Sequence, residues 1–573
     1  MNRTLAVLLA VAAAGFTGHV RCSDDPPSAA GNQTQRQRYA RGAPGVFTHP
    51  LNLQTDAPLV ALQRDGKRLH YGLYAERDAT RARNIVPDFS RAGYAGGGVS
   101  LPTRTSIPVL EVLEPLSAGD DTARVQAAID AVAARPPDSR GVRGAVLLKR
   151  GHYTLHQPLR LRASGVVLRG EGRGANGTVI RSTITERQGR IIDVGEAEPR
   201  APREARDARR TSIAMAYVPV GAMRLQVNST VGYRVGDTVA VVRRPNAQWF
   251  QSEGIDTARY RWTPTDYTVY NERVVAAVDR ETLTLDAPIM DAIAARFGGG
   301  SVYRTELQRL SQVGIEDLRL EGNPETAIAN GTADTGPFTA IRLGGVRDSW
   351  VRNVTVRYVS HGFVTRNGAH FNTLQDIAYL DPRYGQTQGA RRYVFLYEGN
   401  AAFNLIQRCY NQGGRHTFVI GAQVPGPNVF LDCLAIDDSN DSGPHHRWST
   451  GVLYDNTKGY MLRAQNRRYS GTGHGWAGAQ QMFWNTEHAI YVVQAPPHAM
   501  NWSVGQVGQT LPGKFPPEEP AGMVESAGHA VAPRSLYLQQ LRDRLGEQAV
   551  VDVTTAAQRE GRIWDSLAER AGE

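Results

Sequence analysis

The chain has 573 residues, a net charge of +10 from 65 basic against 55 acidic residues, and only three cysteines. Three cysteines, one of them Cys22 near the N-terminus, exclude a disulfide framework, so the fold must rest on its core. No basic block with interleaved aromatics points to nucleic acid, and no segment past the N-terminal run offers a membrane span.

Residues 1–22 read as a secretory signal: Arg3, the apolar run Leu5 to Phe16, then small and polar residues. A secreted or periplasmic protein is expected. Residues 23–119 form an N-terminal leader and lead-in, polar and rich in Gln, Arg, Pro and Ala up to about residue 45. Lysine occurs only at Lys67, Lys149, Lys458 and Lys514, so the positive charge is almost all arginine. That charge suits an acidic polysaccharide partner, although an arginine skew also follows from genome composition.

Residues 120–209 carry the most diagnostic pattern. Asp120-Asp121-Thr122 is a helix start, and Val125, Ala128, Ile129 and Val132 follow at helical spacing. Short strands punctuated by turn residues come next, at 144–148, 151–155, 159–161 and 165–170. A helix that caps the open end of a stack, then short strands, is what a solenoid needs at its N-terminus. Residues 210–305 break this rhythm, with longer strands at 227–242 and 274–285. They are predicted to form an inserted β-rich module whose tip, around Trp249 and Trp262, reaches over a groove.

From Gly314 a repeat is visible. Positions Leu318, Val354, Ile377, Cys409 and Cys433 end similar apolar–polar strings, 36, 23, 32 and 24 residues apart. The short intervals match one coil of a β-helix, the long ones a coil with an added loop. A single coil cannot bury its own apolar face, so neighbours must stack. The predicted fold is therefore all-β: a right-handed parallel β-helix with an N-terminal capping helix and an inserted module. A two-layer sandwich is the runner-up, but it wants alternation within longer strands. The main coils are placed at 306–497. Cys409 and Cys433 then stack on adjacent coils as two buried thiols. Residues 498–573 are read as a C-terminal cap and tail, with a short amphipathic helix from Arg534 to Leu545.

Asp120-Asp121-Thr122, Gly151-His152-Tyr153 and Val167-Leu168-Arg169-Gly170-Glu171-Gly172 resemble the opening of the pectate-lyase-like β-helix superfamily. Pro87-Asp88-Phe89-Ser90 with Ala92-Gly93-Tyr94 resembles a lead-in of its bacterial members. The resemblance covers about residues 120–497 outside the insertion and implies a fold. It implies no single reaction, since the superfamily holds lyases, hydrolases and non-catalytic spikes. Asp437-Asp438 and Gly473-His474-Gly475 partly match a polygalacturonase pattern, at a spacing that is too long.

The densest polar stretch runs from Asp437 to Trp448 and contains Asp438, Asp441, His445, His446 and Arg447. It is predicted to lie on a loop between coils, where function sits on a rigid scaffold. Arg415-His416 falls one coil earlier and His474 with Trp476 one or two later, so these sites are expected to share one groove. A lone turn histidine such as His474 is as often structural as catalytic. Adjacent charged groups repel, which makes coincidence a poorer account of His445-His446-Arg447. Trp448 and Trp476 are either packing residues or platforms for a sugar ring.

Two chemistries fit. In β-elimination from a uronic acid, a cation neutralises the carboxylate and a base removes the neighbouring proton. His445 or His446 with His416 would move protons, while Arg447 and Arg415 bind the carboxylate. Asp437, Asp438, His474 and the two tryptophans would complete the substrate site. In glycoside hydrolysis two carboxyl groups are required, and Asp437, Asp438 and Asp441 would supply them. The surplus of His and Arg favours a lyase acting on an acidic polysaccharide. A third reading, a non-catalytic carbohydrate-binding protein, expects the polar loops to scatter. No His-x-x-x-His or cysteine pair suggests a metal site, so no cofactor is required, with calcium an optional aid. Nothing in the sequence sets the oligomeric state.

Overall fold

The computed structural model describes residues 58–75, 82–184, 189–324, 337–383, 389–513 and 519–571. The predicted signal and Cys22 lie outside them. The described chain is a right-handed parallel β-helix with a lateral insertion.

Coil register follows the repeat read from the sequence. Leu318 pairs with Val354 and Val354 with Ile377; Ala378 then pairs with Tyr410 and Tyr410 with Leu434, which aligns Ile377, Cys409 and Cys433. Every pair is parallel, which excludes the sandwich. All five residues are buried in one core with Phe363, Phe395 and Phe418. Those three rings stack coil on coil at 5.6 and 6.3 Å. The residue before each aligned position, Asp317, Asn353, Asp376, Arg408 and Asp432, has φ between 51° and 60°. A left-handed residue bends each coil there, and Asp and Asn tolerate that conformation best.

A second corner is held by polar side chains inside the stack. Asn372 Oδ1 accepts from Ser349 N at 3.1 Å, Asn404 Oδ1 from Asn372 N at 3.1 Å, and Asn428 Oδ1 from Asn404 N at 3.1 Å. A buried amide is tolerable when its donors and acceptors are met. Cys409 and Cys433 are both buried and unlinked. Burial beside Cys433 pushes the Cys409 thiol well above its usual range, which keeps it protonated.

The predicted helix is Thr122–Ala133, and Val125, Ala128, Ile129 and Val132 plug the end of the core. Its start differs in detail. Asp121 at the N-cap makes no capping bond; Asp120 instead accepts from Thr122 N at 2.9 Å. The insertion is a six-stranded antiparallel sheet with its own core around Val239, Val241 and Leu283, from Thr211–Ser212 to Gly300–Arg304.

The C-terminal part departs from expectation. Coils continue beyond residue 497: Trp502–Val504, Val507–Thr510 and Met523–Glu525 pair in parallel with the strands before them. Strands of three or four residues leave too little pattern to see in sequence. The helix Leu536–Leu545 forms, and it begins the described part of the tail. It lies along the flank, where Tyr537 and Leu541 pack with Leu405, Val429 and Leu431, and Trp564 packs on Tyr410 and Leu434. The lead-in is held nearby: Phe89 N donates to Gln540 Oε1 at 2.9 Å and Tyr94 N to Thr373 Oγ1 at 2.9 Å.

Candidate functional site

One column of side chains runs along the stack. Tyr393 opens the strand Tyr393–Tyr397 and pairs with His416, which opens His416–Ile420 on the next coil. His361 holds the matching place one coil earlier, since Phe363 pairs with Phe395. Ring centroids lie 5.1 Å apart for His361–Tyr393, 4.9 Å for Tyr393–His416 and 4.7 Å for His416–His445. His445 is in turn 5.6 Å from His446 and 5.2 Å from His474, and His446 is 5.2 Å from His474. The four predicted histidines therefore meet in one cluster.

The cluster is mostly closed. His416 has no exposed surface, and His445 and His474 are buried; Tyr393, His446 and Arg447 form its half-buried edge. Burial lowers the pKa of every one of these histidines. His446 falls to about 3, through burial and then the charges of Arg447 and Arg467, and His361 to about 3 through burial and Arg391. His445, His474 and His416 also fall, each first through burial. All are neutral imidazoles near pH 7.

Hydrogen bonds assign the His445 tautomer. Arg467 Nη1 lies 2.8 Å from His445 Nδ1, 3.3 Å from its Nε2 and 3.1 Å from its carbonyl oxygen. A guanidinium can only donate; with the shorter contact taken as its bond, Nδ1 accepts and the neutral ring carries its proton on Nε2. That Nε2 is 3.2 Å from Tyr393 Oη. His445 therefore donates to the phenolic oxygen and is no open base itself. His416 is oriented by Asp441, with Nδ1 2.6 Å from the Asp441 carbonyl oxygen and 3.3 Å from Oδ1. Asp441 is held well below the usual carboxylate range by His416, Arg467 and Arg463, against its own burial. The buried His416 Nε2, His446 Nδ1 and His474 Nδ1 carry no hydrogen-bond partner.

The insertion shapes the open edge. The Arg447 guanidinium lies 3.2 Å over the Trp262 ring and donates to Thr472 Oγ1 at 2.5 Å. Trp262 Nε1 donates to Gly473 O at 2.6 Å. Gly473 and Gly475, at φ 78° and 55°, flank His474 where any Cβ would meet Trp262, Tyr260 or the Tyr267 hydroxyl. The expected approach of Trp262 is thus observed, but the sugar-platform role of Trp448 and Trp476 is corrected. Each is 1 % exposed. Trp448 packs against Trp249 at 4.7 Å and donates to Asp291 Oδ2 at 2.8 Å, while Trp476 donates to Glu253 O at 2.9 Å. The insertion has taken both faces that a sugar would need.

Arg415 is buried beside His416, where its charge lowers that imidazole's pKa. Asp437 is exposed, near Tyr410. Asp438 is buried, accepting from Asn411 Nδ2 at 2.6 Å and Thr417 Oγ1 at 2.7 Å, and burial pushes it up to about 7. Asp438 and Asp441 are thus both engaged internally and do not face each other across an open cleft. Among the described residues no group of three or more His, Cys, Asp or Glu is placed to hold a metal ion.

Sequence reading missed Tyr393, Arg467 and His361. The signal for Tyr393 was its place 23 residues before His416, one short coil; Arg467 left no comparable mark.

No protein-family model and no curated protein matches the chain. Among solved structures it is similar to the tailspike of Pseudomonas phage phi297, at 12% identity and TM-score 0.27 over 71% of this chain and 73% of that one. It is similar to the DFA-IIIase of Arthrobacter chlorophenolicus, at 9% and 0.35 over 76% and 89%. It is also similar to the A-module of the Azotobacter vinelandii mannuronan C-5 epimerase, at 13% and 0.26 over 74% and 95%. At such scores the fold assignment rests on the strand register, and no chemistry is carried over.

Proposed function

We propose that this chain is an exported enzyme that cleaves a uronic-acid-containing polysaccharide by β-elimination. The observation that carries the reading is the Arg467–His445–Tyr393 chain of hydrogen bonds at the half-buried edge of a neutral imidazole cluster. Elimination needs a base for the proton beside the uronate carboxyl group and a cation on that carboxylate. Tyr393 is placed to take that proton. Tyr393 acts as its phenolate: the His445 Nε2–H bond supports the negative charge on the phenolic oxygen, Arg467 holds His445 in the donating tautomer, and uptake of the substrate proton gives the neutral phenol. The electron pair forms the new carbon–carbon double bond as the glycosidic carbon–oxygen bond breaks, and the leaving oxygen takes a proton. Tyr393 returns the proton it took, which restores its phenolate. Arg447, oriented by Trp262 and Thr472, is the arm for the carboxylate.

Hydrolysis needs two carboxyl groups flanking the bond. The engagement of Asp438 and Asp441 speaks against that use of the predicted trio. The deciding experiment is a screen of acidic polysaccharides followed by ultraviolet absorbance of an unsaturated uronate. Absorbance that grows with chain cleavage supports elimination; reducing-sugar release without it would replace this reading by hydrolysis.

A further inference from the structure

At another corner of the coils, one residue per turn forms a ladder facing a groove. Ser311 pairs with Arg347, and Arg347, His370 and Ala402 are bridged in parallel, so the next residues Gln312, Asp348, Phe371 and Phe403 stand above one another. Each has φ between 46° and 60°. Another left-handed ladder of the stack, Asp317 to Asp432, carries Asp, Asn and one Arg. Here two phenylalanines take the same strained conformation, in which bulky residues are uncommon. Their rings stack at 4.5 Å and 14°.

The ladder lines an open cavity of about 600 Å³, walled on one side by the insertion and on another by the N-terminal segment. That volume is in the range of small-ligand pockets, roughly 300–1,000 Å³. The N-terminal wall is made of Arg91, Ala95 and Gly96. Two Arg–Asp pairs face it. Arg347 Nε is 2.7 Å from Asp348 Oδ2 with half of the arginine exposed, and Arg91 Nη1 is 3.6 Å from Asp286 Oδ2 with 31% exposed. Arg347 also lies 5.5 Å over the Phe371 ring, and Asp348 Oδ1 accepts no hydrogen bond.

We infer that this groove is an accessory binding site for a uronate-containing oligosaccharide, distinct from the histidine cluster. The chemistry matches the ligand at each point. The partly exposed rim of Phe371 offers an apolar contact to a pyranose, and Asp348 and Asp286 accept from adjacent hydroxyls. Arg347 and Arg91 donate to other hydroxyls or to the carboxylate in two-point contacts. Successive ladder residues are one coil apart, about 4.8 Å. That spacing is comparable to the ring repeat of a linear polysaccharide, so a chain can lie along the stack. The inference shares its ligand class with the proposed function but does not depend on the chemistry at His445.

Calorimetric titration of the His445→Ala protein tests it, with tetrasaccharides of galacturonate, mannuronate and glucuronate as probes. At least one should bind, and the Arg91→Ala/Arg347→Ala pair in the same background should weaken it at least about tenfold, equivalent to one charged contact of about 1.4 kcal/mol. Arg150→Ala, which removes an exposed arginine outside the groove, should leave binding unchanged. Absence of binding by all three probes overturns the inference. So does binding untouched by the double substitution, or weakened equally by Arg150→Ala. Binding that passes this test while the wild type forms no unsaturated product retains the groove and rejects the lyase reading.

Discussion

Arg467 Nη1 stands 2.8 Å from His445 Nδ1 and 3.3 Å from Nε2, and the shorter contact leaves Nε2, 3.2 Å from Tyr393 Oη, as the donor. It converts a histidine that the sequence offers as a base into a donor supporting a tyrosine. Replacing Tyr393 by Phe removes only the phenolic oxygen. Activity on the polysaccharide should fall by about 10²–10⁴-fold, with thermal stability almost unchanged. Turnover within threefold of wild type would remove Tyr393 from the mechanism. His445→Ala and Arg467→Ala should also lose activity, the second with an altered pH–rate profile.

The stacking of Arg447 on Trp262 is expected to act on substrate binding. A cation–π contact of about 0.5–2 kcal/mol corresponds to a rise of about 2- to 30-fold in KM when Trp262 becomes Ala. The value of kcat should change less, and Trp262→Phe should recover part of the loss. An unchanged KM would show that Arg447 is oriented by Thr472 alone.

Stability should depend on pH through the buried imidazoles. Their folded pKa values lie below the unfolded value of about 6.5, so on acidification the unfolded chain takes up protons that the fold refuses. His446, His361 and His488, each lowered to about 3, place the loss between about pH 6.5 and 3. Asp438 and Asp455, raised to about 7, act oppositely between about pH 4 and 7, and burial raises Asp88, Asp291 and Glu525 as well, so five carboxyl groups stand against six imidazoles. The melting temperature should therefore fall from pH 7 to pH 4, and His446→Gln should flatten that slope. A melting temperature that rises on acidification contradicts the assignment.

Asp438 can be isolated by an isosteric change. Asn at this position still accepts from Asn411 and Thr417, but it has no charge to bury. The stability of Asp438→Asn relative to wild type should grow as pH rises from about 4 to 7 and be flat above that. Parallel melting curves across this window would show that the carboxyl group ionises normally.

The amide ladder predicts a cost to the fold alone. Asn404 donates through Nδ2 to Ala369 O at 2.9 Å and Ala402 O at 3.0 Å, and its Oδ1 accepts from Asn372 N at 3.1 Å. Asn404→Ala strands several buried groups and should destabilise by about 2–4 kcal/mol, read as a shift of the denaturant midpoint. A shift below about 0.5 kcal/mol would mean the coils do not need this ladder.

Local pattern was enough to determine the solenoid from this sequence. The apolar positions 318, 354, 377, 409 and 433 must all face inward, and parallel stacking allows few other registers, so spacing and core coincide. The capping helix and the first four strands were legible for the same reason, and so was the grouping of His416, His445, His446 and His474. Only the tertiary structure decided what these groups do. Tyr393 and Arg467 reach His445 from other coils, and the insertion covers Trp448 and Trp476 from more than 150 residues away in sequence. Hydrogen-bond direction, burial and access depend on distances through space. A repeat in sequence specifies which residues share a corner, but not which neighbours they meet across it or what lies over them.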